Sequence, residues 1–112
     1  GDWPDHRYDL VYTANTFHIM DETSVSRCVE GAGRCLKPGG VLAVYGPFNY
    51  GGRYTSESNA RFDQMLRARD PLSGIRDFDW IEQLAAAAGL DLLEDVEMPV
   101  NNRTLIWQKR TL

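Results

Sequence analysis

The sequence predicts an α/β fold in which a mixed sheet of about four strands is covered by helices. Apolar runs of strand type alternate with helical apolar spacing, in the order strand, helix, strand, two helices and two strands. The first two strands are separated by a helix, so they should be parallel and joined by a right-handed crossover. Only a short turn separates the last two strands, which should therefore be antiparallel. We expect a single domain over residues 1–112.

The segment Leu36–Gly52, LKPGGVLAVYGPFNYGG, carries the clearest structural signals. Proline cannot continue a helix, and the Gly39–Gly40 pair suits a tight turn, so a helix should end here. The continuous apolar run Val41–Tyr45 is typical of a strand that is buried on both faces. In an open α/β sheet the loop that follows such a strand, here starting at Pro47, lies where ligands bind.

The other elements follow from apolar spacing and from residues that cap helices. The predicted strands are Tyr8–Ala14, Val41–Tyr45, Leu90–Met98 and Thr104–Lys109. The predicted N-caps of the three helices are Asp21 or Thr23, Thr55 or Ser56, and Asp77 or Asp79. In the first helix, Gly31 and Gly33 suggest close packing against the sheet.

Composition argues against several classes of partner. The formal net charge is −4, whereas a nucleic-acid-binding face usually needs a basic excess. No apolar run approaches the roughly 20 residues of a membrane span. The opening GDWPDHRYD resembles neither a signal peptide nor a transit peptide. We therefore expect no nucleic acid or membrane partner, and a cytoplasmic location.

The cysteines and histidines do not form a metal-binding pattern. Cys28 and Cys35 lie seven residues apart without a CxxC pair, so we interpret both as small core residues with reduced thiols. His6 and His18 are distant in sequence, and no His-Glu-x-x-His motif is present. The sequence predicts no metal site.

Two further polar groups are interpreted as structural. The arginines at 67, 69 and 76 alternate with acidic residues, which indicates a solvated face. Asn101–Asn102 lies between the last two strands and indicates a turn, because asparagine tolerates left-handed backbone angles.

Several motifs together resemble a known family. YDLVYTANTFHIM, a helix and then LKPGGVLAVYGPF resemble the second half of class I S-adenosylmethionine-dependent methyltransferases. More narrowly, TANTFHIM, YGPFNYGGRYTSESNARFD, SGIRDF and MPVNNRTLIW resemble the DUF938 or methyltransferase-like 26 proteins. The resemblance runs from Tyr8 to Lys109. It implies a partial Rossmann-like sheet that lacks the N-terminal strands and ends in an antiparallel pair.

The resemblance also implies S-adenosylmethionine as the cofactor of an intact enzyme. In that family the donor site consists mainly of a Gly-rich loop after the first strand and an acidic residue after the second. Neither feature is in this sequence. We therefore expect the chain to supply the acceptor side of a methyltransferase, to act on a small molecule, and to be inactive alone.

By the family pattern, the segment after the first strand faces both donor and acceptor. Asn15 and Thr16 would then contact the cofactor, and His18 could act as a general base, since its unperturbed pKa is about 6.5. The alternative is that Asn15 and Thr16 cap a helix and His18 packs against it.

A second group of residues could bind the acceptor. Pro47, Phe48, Asn49 and Tyr50 follow the second strand, where aromatic rings and an amide could line a pocket. Asn59 and Arg61 lie in the helix that follows, and Arg61 could attract an anionic acceptor. The alternatives are a loop whose rings pack on the next helix and a solvated arginine.

Two other functions stay open at this point. A non-catalytic half-domain would expose the edge of its first strand at Leu10–Ala14 and would associate through it, for example as a homodimer. A dinucleotide-binding oxidoreductase shares the α/β architecture. The absence of G-x-G-x-x-G and the reversed last pair disfavour that second function.

Overall fold

The computed structural model describes residues 6–111. Its elements, in chain order, are β1 (Tyr8–Ala14), α1 (Glu22–Cys35), β2 (Leu36–Gly46), α2 (Glu57–Arg69), α3 (Phe78–Ala87), β3 (Leu90–Met98) and β4 (Asn102–Lys109). The first five residues of the opening GDWPDHRYD lie outside the described residues. None of the helices among residues 6–111 combines the length and apolarity that crossing a lipid bilayer would require.

The four strands form one mixed sheet in the order β1-β2-β4-β3. β1 and β2 are parallel, whereas β4 runs antiparallel to both β2 and β3. This confirms the predicted parallel pair and the reversed last pair. Because β4 lies between β2 and β3, the hairpin tip at residues 99–101 is placed at the same end of the sheet as the carboxyl ends of β1 and β2.

The junction between α1 and β2 differs from the prediction. Instead of a separate tight turn, β2 begins directly after the helix at Leu36, whose backbone is already extended (φ −74°, ψ 140°). Tyr8 pairs with Leu36 but Leu10 pairs with Val41, so the intervening residues of β2 form a bulge. Gly39 has φ +83° within it. A bulge tolerates proline and supplies a left-handed glycine position, so its sequence signals are the same as those of a tight turn.

Burial along β2 is one-sided, which also differs from the prediction. Leu42 and Val44 are buried, whereas Val41, Ala43 and Tyr45 between them are only half-buried. The reason is that α1 and α3 both pack on the same face of the sheet. The core between these layers is formed by Val25, Val29, Ala32, Leu42, Val44, Ile81, Ala85, Leu105 and Trp107, among others.

The helices begin at one of the two capping residues predicted for each. The side chains of Asp21, Ser56 and Asp77 accept hydrogen bonds from backbone N–H groups of the first turns of α1, α2 and α3. Such caps satisfy donors that have no partner within the helix.

Gly33 of α1 allows close packing, but against α3 instead of the sheet. A Cβ added to Gly33 would lie 2.6 Å from the carbonyl oxygen of Ala88, so this glycine permits close approach to the end of α3 and not to the sheet.

Cys35 is fully buried, and Cys28 is half-buried against the core. Both thiols are free, and burial raises the pKa of each, so they stay protonated at neutral pH.

Candidate functional site

A cavity of about 290 Å³ opens at the carboxyl ends of β1 and β2. Asn15 after β1 and Pro47 after β2 both contribute to it, as the parallel arrangement of these strands requires. The cavity is lined by Asn15, His18, Pro47, Ser58, Asn59, Phe62, Val100 and Asn102. It therefore joins three parts of the chain: the ends of β1 and β2, the first turns of α2, and the β3–β4 turn.

Asn15 and His18 are brought together at the end of β2. Asn15 is exposed, has φ +55°, and donates its backbone N–H to Tyr45 O at 2.8 Å. A Cβ placed on Gly46 would lie 3.9 Å from both Asn15 Oδ1 and His18 Nδ1. The two polar side chains thus flank the same glycine at the edge of the cavity, and asparagine suits this left-handed position.

His18 is 7% exposed and packs edge-on against Phe62, with 5.4 Å between the ring centroids. Its carbonyl oxygen accepts a hydrogen bond from Gly74 N at 2.9 Å. Burial, and secondarily the positive charge of Arg76, lower the pKa of His18 below its usual 6.5. The imidazole is consequently neutral at neutral pH and has a nitrogen that can accept a proton.

Arg76 holds the segment that carries His18, and its burial corrects the prediction of a solvated arginine. Only 6% of it is exposed. Its guanidinium donates to Phe17 O at 3.3 Å and to Met20 O at 2.6 Å, and also to Leu72 O at 2.7 Å. The α2–α3 loop folds back over the β1–α1 loop and brings Arg76 to the backbone carbonyls of Phe17 and Met20. No sequence pattern indicates that these carbonyls are its partners.

The β3–β4 turn closes one side of the cavity. Asn59 Nδ2 donates to Asn101 O at 3.3 Å, which ties the turn to α2, and Asn102 Nδ2 donates to Tyr45 Oη at 3.1 Å. Val100 and Asn101 both have left-handed backbones, with φ +62° and +60°. The predicted turn is therefore confirmed at Asn101.

Sequence reasoning placed four of the cavity residues in the site, namely Asn15, His18, Pro47 and Asn59. It missed Ser58, Phe62, Val100 and Asn102. Asn102 was assigned to a turn, and its place in the cavity depends on the pairing of β4 with β2. No local signal in the sequence specifies that pairing.

Three predicted acceptor residues lie away from this cavity. Phe48 is 1% exposed and belongs to the core. The Tyr50 ring stacks on Phe78 at 5.2 Å, and its hydroxyl donates to Asp95. The Arg61 side chain is 71% exposed and lies 4.0 Å from Glu57. Both rings pack against the protein, but Phe48 lies in the core and Tyr50 on α3, so the alternative that they pack on the next helix, α2, is also wrong.

Thr16 and Asn49 also lie outside the cavity. The Thr16 hydroxyl is 2.5 Å from that of Thr13, and its carbonyl accepts the backbone N–H of Ile19 and Met20. Asn49 lines a second cavity of about 280 Å³, on the side of the β2–α2 loop that faces Trp80.

Among the described cavity residues, His18 is the only one that titrates near neutral pH, and none carries a fixed charge. Elsewhere in residues 6–111, no group of three His, Cys, Asp or Glu side chains is arranged to hold a metal ion. The site as described can offer hydrogen bonds, flat apolar surface and one proton acceptor.

Comparison with known proteins agrees with this architecture. The family model of DUF938, described as "Protein of unknown function", matches residues 1–109. An O-methyltransferase family protein from Burkholderia thailandensis is 21% identical, with a TM-score of 0.81 over 94% of this chain and 31% of its own. An O-methyltransferase family 2 protein from Planctomyces limnophilus, solved with apigenin, is 19% identical, with a TM-score of 0.83 over 97% of this chain and 34% of its own.

Human N-acetylserotonin methyltransferase, solved in complex with SAM, is 20% identical, with a TM-score of 0.76 over 92% of this chain and 30% of its own. The chain thus spans about a third of the length of these structures. At such identities the likeness establishes the fold. The chain therefore belongs to the DUF938 family, and its fold matches about a third of each of these methyltransferase structures.

Proposed function

We propose that this chain forms the acceptor side of an S-adenosylmethionine-dependent methyltransferase that acts on a small molecule. The observation that carries the proposal is the cavity at the ends of β1 and β2, in which a buried neutral His18 and the exposed amide of Asn15 flank Gly46. Ligands of open α/β sheets bind at this end of parallel strands. The methyltransferase fold of the chain is the second support.

The residues present fit part of a donor site. Asn15 is exposed at the cavity edge, and with Thr16 it would contact the methionine end of the donor. Residues 6–111 have no Gly-rich loop after an opening strand and no acidic strand end that could hold a ribose. When bound, S-adenosylmethionine supplies an electrophilic methyl group on a sulfonium.

The chain's own residues would align the acceptor and remove its proton. Pro47 and Phe62 provide apolar walls, and the amides of Asn59 and Asn102 lie beside them. During methyl transfer, His18 would take the proton of the acceptor oxygen or nitrogen onto its free imidazole nitrogen. Alignment of the two reactants is the main contribution to catalysis that we expect from the site.

Calorimetry tests the proposal directly. S-adenosylmethionine and its demethylated product are titrated into this chain and into the full-length protein that contains it. Because the Gly-rich loop and the acidic residue would come from outside the chain, we expect saturable heat with the full-length protein and none with the 112-residue chain. Absence of heat with the full-length protein for both compounds would contradict the proposal.

A second candidate function is association through β1. The outer edge of this strand has no partner among the described strands, and Tyr8, Leu10 and Tyr12 expose 48%, 59% and 61% of their surface. Unpaired apolar edges promote pairing with another chain. We infer that a second copy extends the sheet from this edge to form a homodimer.

Sedimentation velocity tests this association. The 112-residue chain is expected to sediment as a dimer and Leu10→Lys as a monomer, because a lysine on the edge opposes continued pairing. Leu72→Lys is the matched control, since Leu72 is 65% exposed but lies outside the sheet, and it should stay dimeric. A monomeric wild-type chain, or loss of the dimer in both variants, would exclude the β1 edge as the interface.

A further inference from the structure

Resting on the proposed function of this cavity, we propose that the acceptor is an uncharged molecule of one or two rings, and that Val100 is a specificity-determining residue against charged acceptors.

The cavity residues set the class of acceptor. Asn15, Ser58, Asn59 and Asn102 are neutral and offer donor and acceptor groups. No Lys, Arg, Asp or Glu lines the cavity among residues 6–111. A carboxylate or ammonium entering this space would lose hydration without gaining a counter-charge, which is strongly unfavourable.

The nearby arginines either donate to other partners or lie outside the cavity. The guanidinium of Arg76 donates to three backbone carbonyls, and that of Arg103 donates to Asp95 at 2.8 Å. Arg61 lies outside the cavity, with Glu57 at 4.0 Å. None of these cations is therefore presented to a ligand in the cavity.

The size and walls of the cavity favour a small flat molecule. Its volume of about 290 Å³ is at the lower end of the range of ligand pockets, roughly 300–1,000 Å³. Pro47 and Phe62 supply flat apolar surface, and the edge of the His18 ring meets Phe62. A planar ring fits such walls, while polar substituents can reach the amides.

Val100 occupies the position in the lining where a charge would be easiest to accommodate. It is 84% exposed at the rim of the cavity, so a charged side chain there would stay hydrated. A β-branched residue at φ +62° is strained, because this left-handed region favours Gly, Asn or Asp. The strained turn therefore holds an isopropyl group beside the opening, and it keeps the rim apolar and uncharged.

Three probes that share the naphthalene ring and differ in the charge of their substituent test the charge selectivity: 2-naphthol, 2-naphthoate and 2-naphthylmethylammonium. Each is titrated at neutral pH into the ¹⁵N-labelled 112-residue chain, and the side-chain amide signals of Asn59 and Asn102 report binding. We expect 2-naphthol to bind at least about tenfold more tightly than either charged probe, since neither ion finds a partner. Equal affinities, tighter binding of an ion, or no binding of any probe would overturn the proposal.

Val100→Lys and Val100→Asn test the role of the rim. The lysine variant should strengthen 2-naphthoate binding about fivefold and leave 2-naphthol binding within about twofold, since it adds one hydrated cation at the opening. The asparagine variant removes the isopropyl group without adding charge, so the affinity for 2-naphthoate should stay low. Arg61→Gln should change neither affinity. A lysine variant that binds 2-naphthoate no better than wild type would contradict the assignment of Val100.

These readouts are independent of methyl transfer. If the chain binds 2-naphthol selectively but the full-length protein binds no donor, the charge selectivity stands and the methyltransferase function is rejected. If the full-length protein binds the donor but the chain binds the three probes equally, the methyltransferase function stands and the charge selectivity is rejected.

Discussion

Replacing His18 with asparagine is expected to reduce methyl transfer by the full-length protein roughly 10²- to 10⁴-fold, the range typical of a lost general base. The imidazole is buried at the cavity and neutral at neutral pH, so it is the described cavity side chain best suited to take the acceptor proton. Asparagine keeps a polar side chain of similar reach but cannot accept the proton. The measurement is kcat with saturating donor and acceptor, together with the affinity for the donor, which should change little.

His6→Asn is the matched control, because His6 is exposed and lies near Lys109, at the opposite end of β1 from the cavity. It should retain wild-type kcat. If His18→Asn lowers kcat no more than His6→Asn does, His18 does not act as the base.

The pH dependence provides a second check on His18. Only the neutral imidazole can accept a proton, so the rate should fall as the pH drops through the pKa of this residue. Burial and the charge of Arg76 lower that pKa below 6.5, so the acidic limb of the rate profile should lie below pH 6.5. A limb at or above pH 6.5 that disappears in His18→Asn would contradict the lowered pKa.

Replacing Arg76 with methionine is expected to lower the free energy of unfolding of the chain by about 3 kcal/mol. The variant removes a charged donor that is 6% exposed and leaves the carbonyls of Phe17, Met20 and Leu72 without it. Methionine retains much of the apolar volume, so the effect reports mainly on the hydrogen bonds. Urea denaturation followed by circular dichroism measures it.

Arg69→Met at the exposed end of α2 is the matched control and should change stability by less than about 0.5 kcal/mol. Arg76 donates to the carbonyls of Phe17 and Met20, on either side of His18 in the chain, and its charge helps to lower the pKa of His18. Arg76→Met should therefore also raise the pKa of His18 in an NMR titration. A stability loss no greater than that of Arg69→Met would show that these contacts contribute little.

Three of the four cavity residues that the sequence predicted lie in the loops after strands, and the fourth, Asn59, lies in α2. Asn15, His18 and Pro47 follow β1 and β2, and parallel strands joined by one helix necessarily end on the same side. The positions of the loop residues Phe48 and Tyr50 could not be predicted from the sequence, because an aromatic ring after a strand can line a pocket or join the core. Their burial against the core and against Phe78 is decided by how α3 packs.

By itself the sequence determined the order of elements, the parallel and antiparallel pairs, two candidate capping residues for each helix and the family, because each depends on local spacing or on a motif of consecutive residues. Only the tertiary structure decided that Arg76 is buried, that β2 is covered on one face, and that Val100 and Asn102 border the cavity. These features arise where segments distant in the chain meet. Arg76 takes two of its three carbonyl partners from a loop more than 50 residues earlier, and the hairpin tip reaches the cavity through the pairing of β4 with β2.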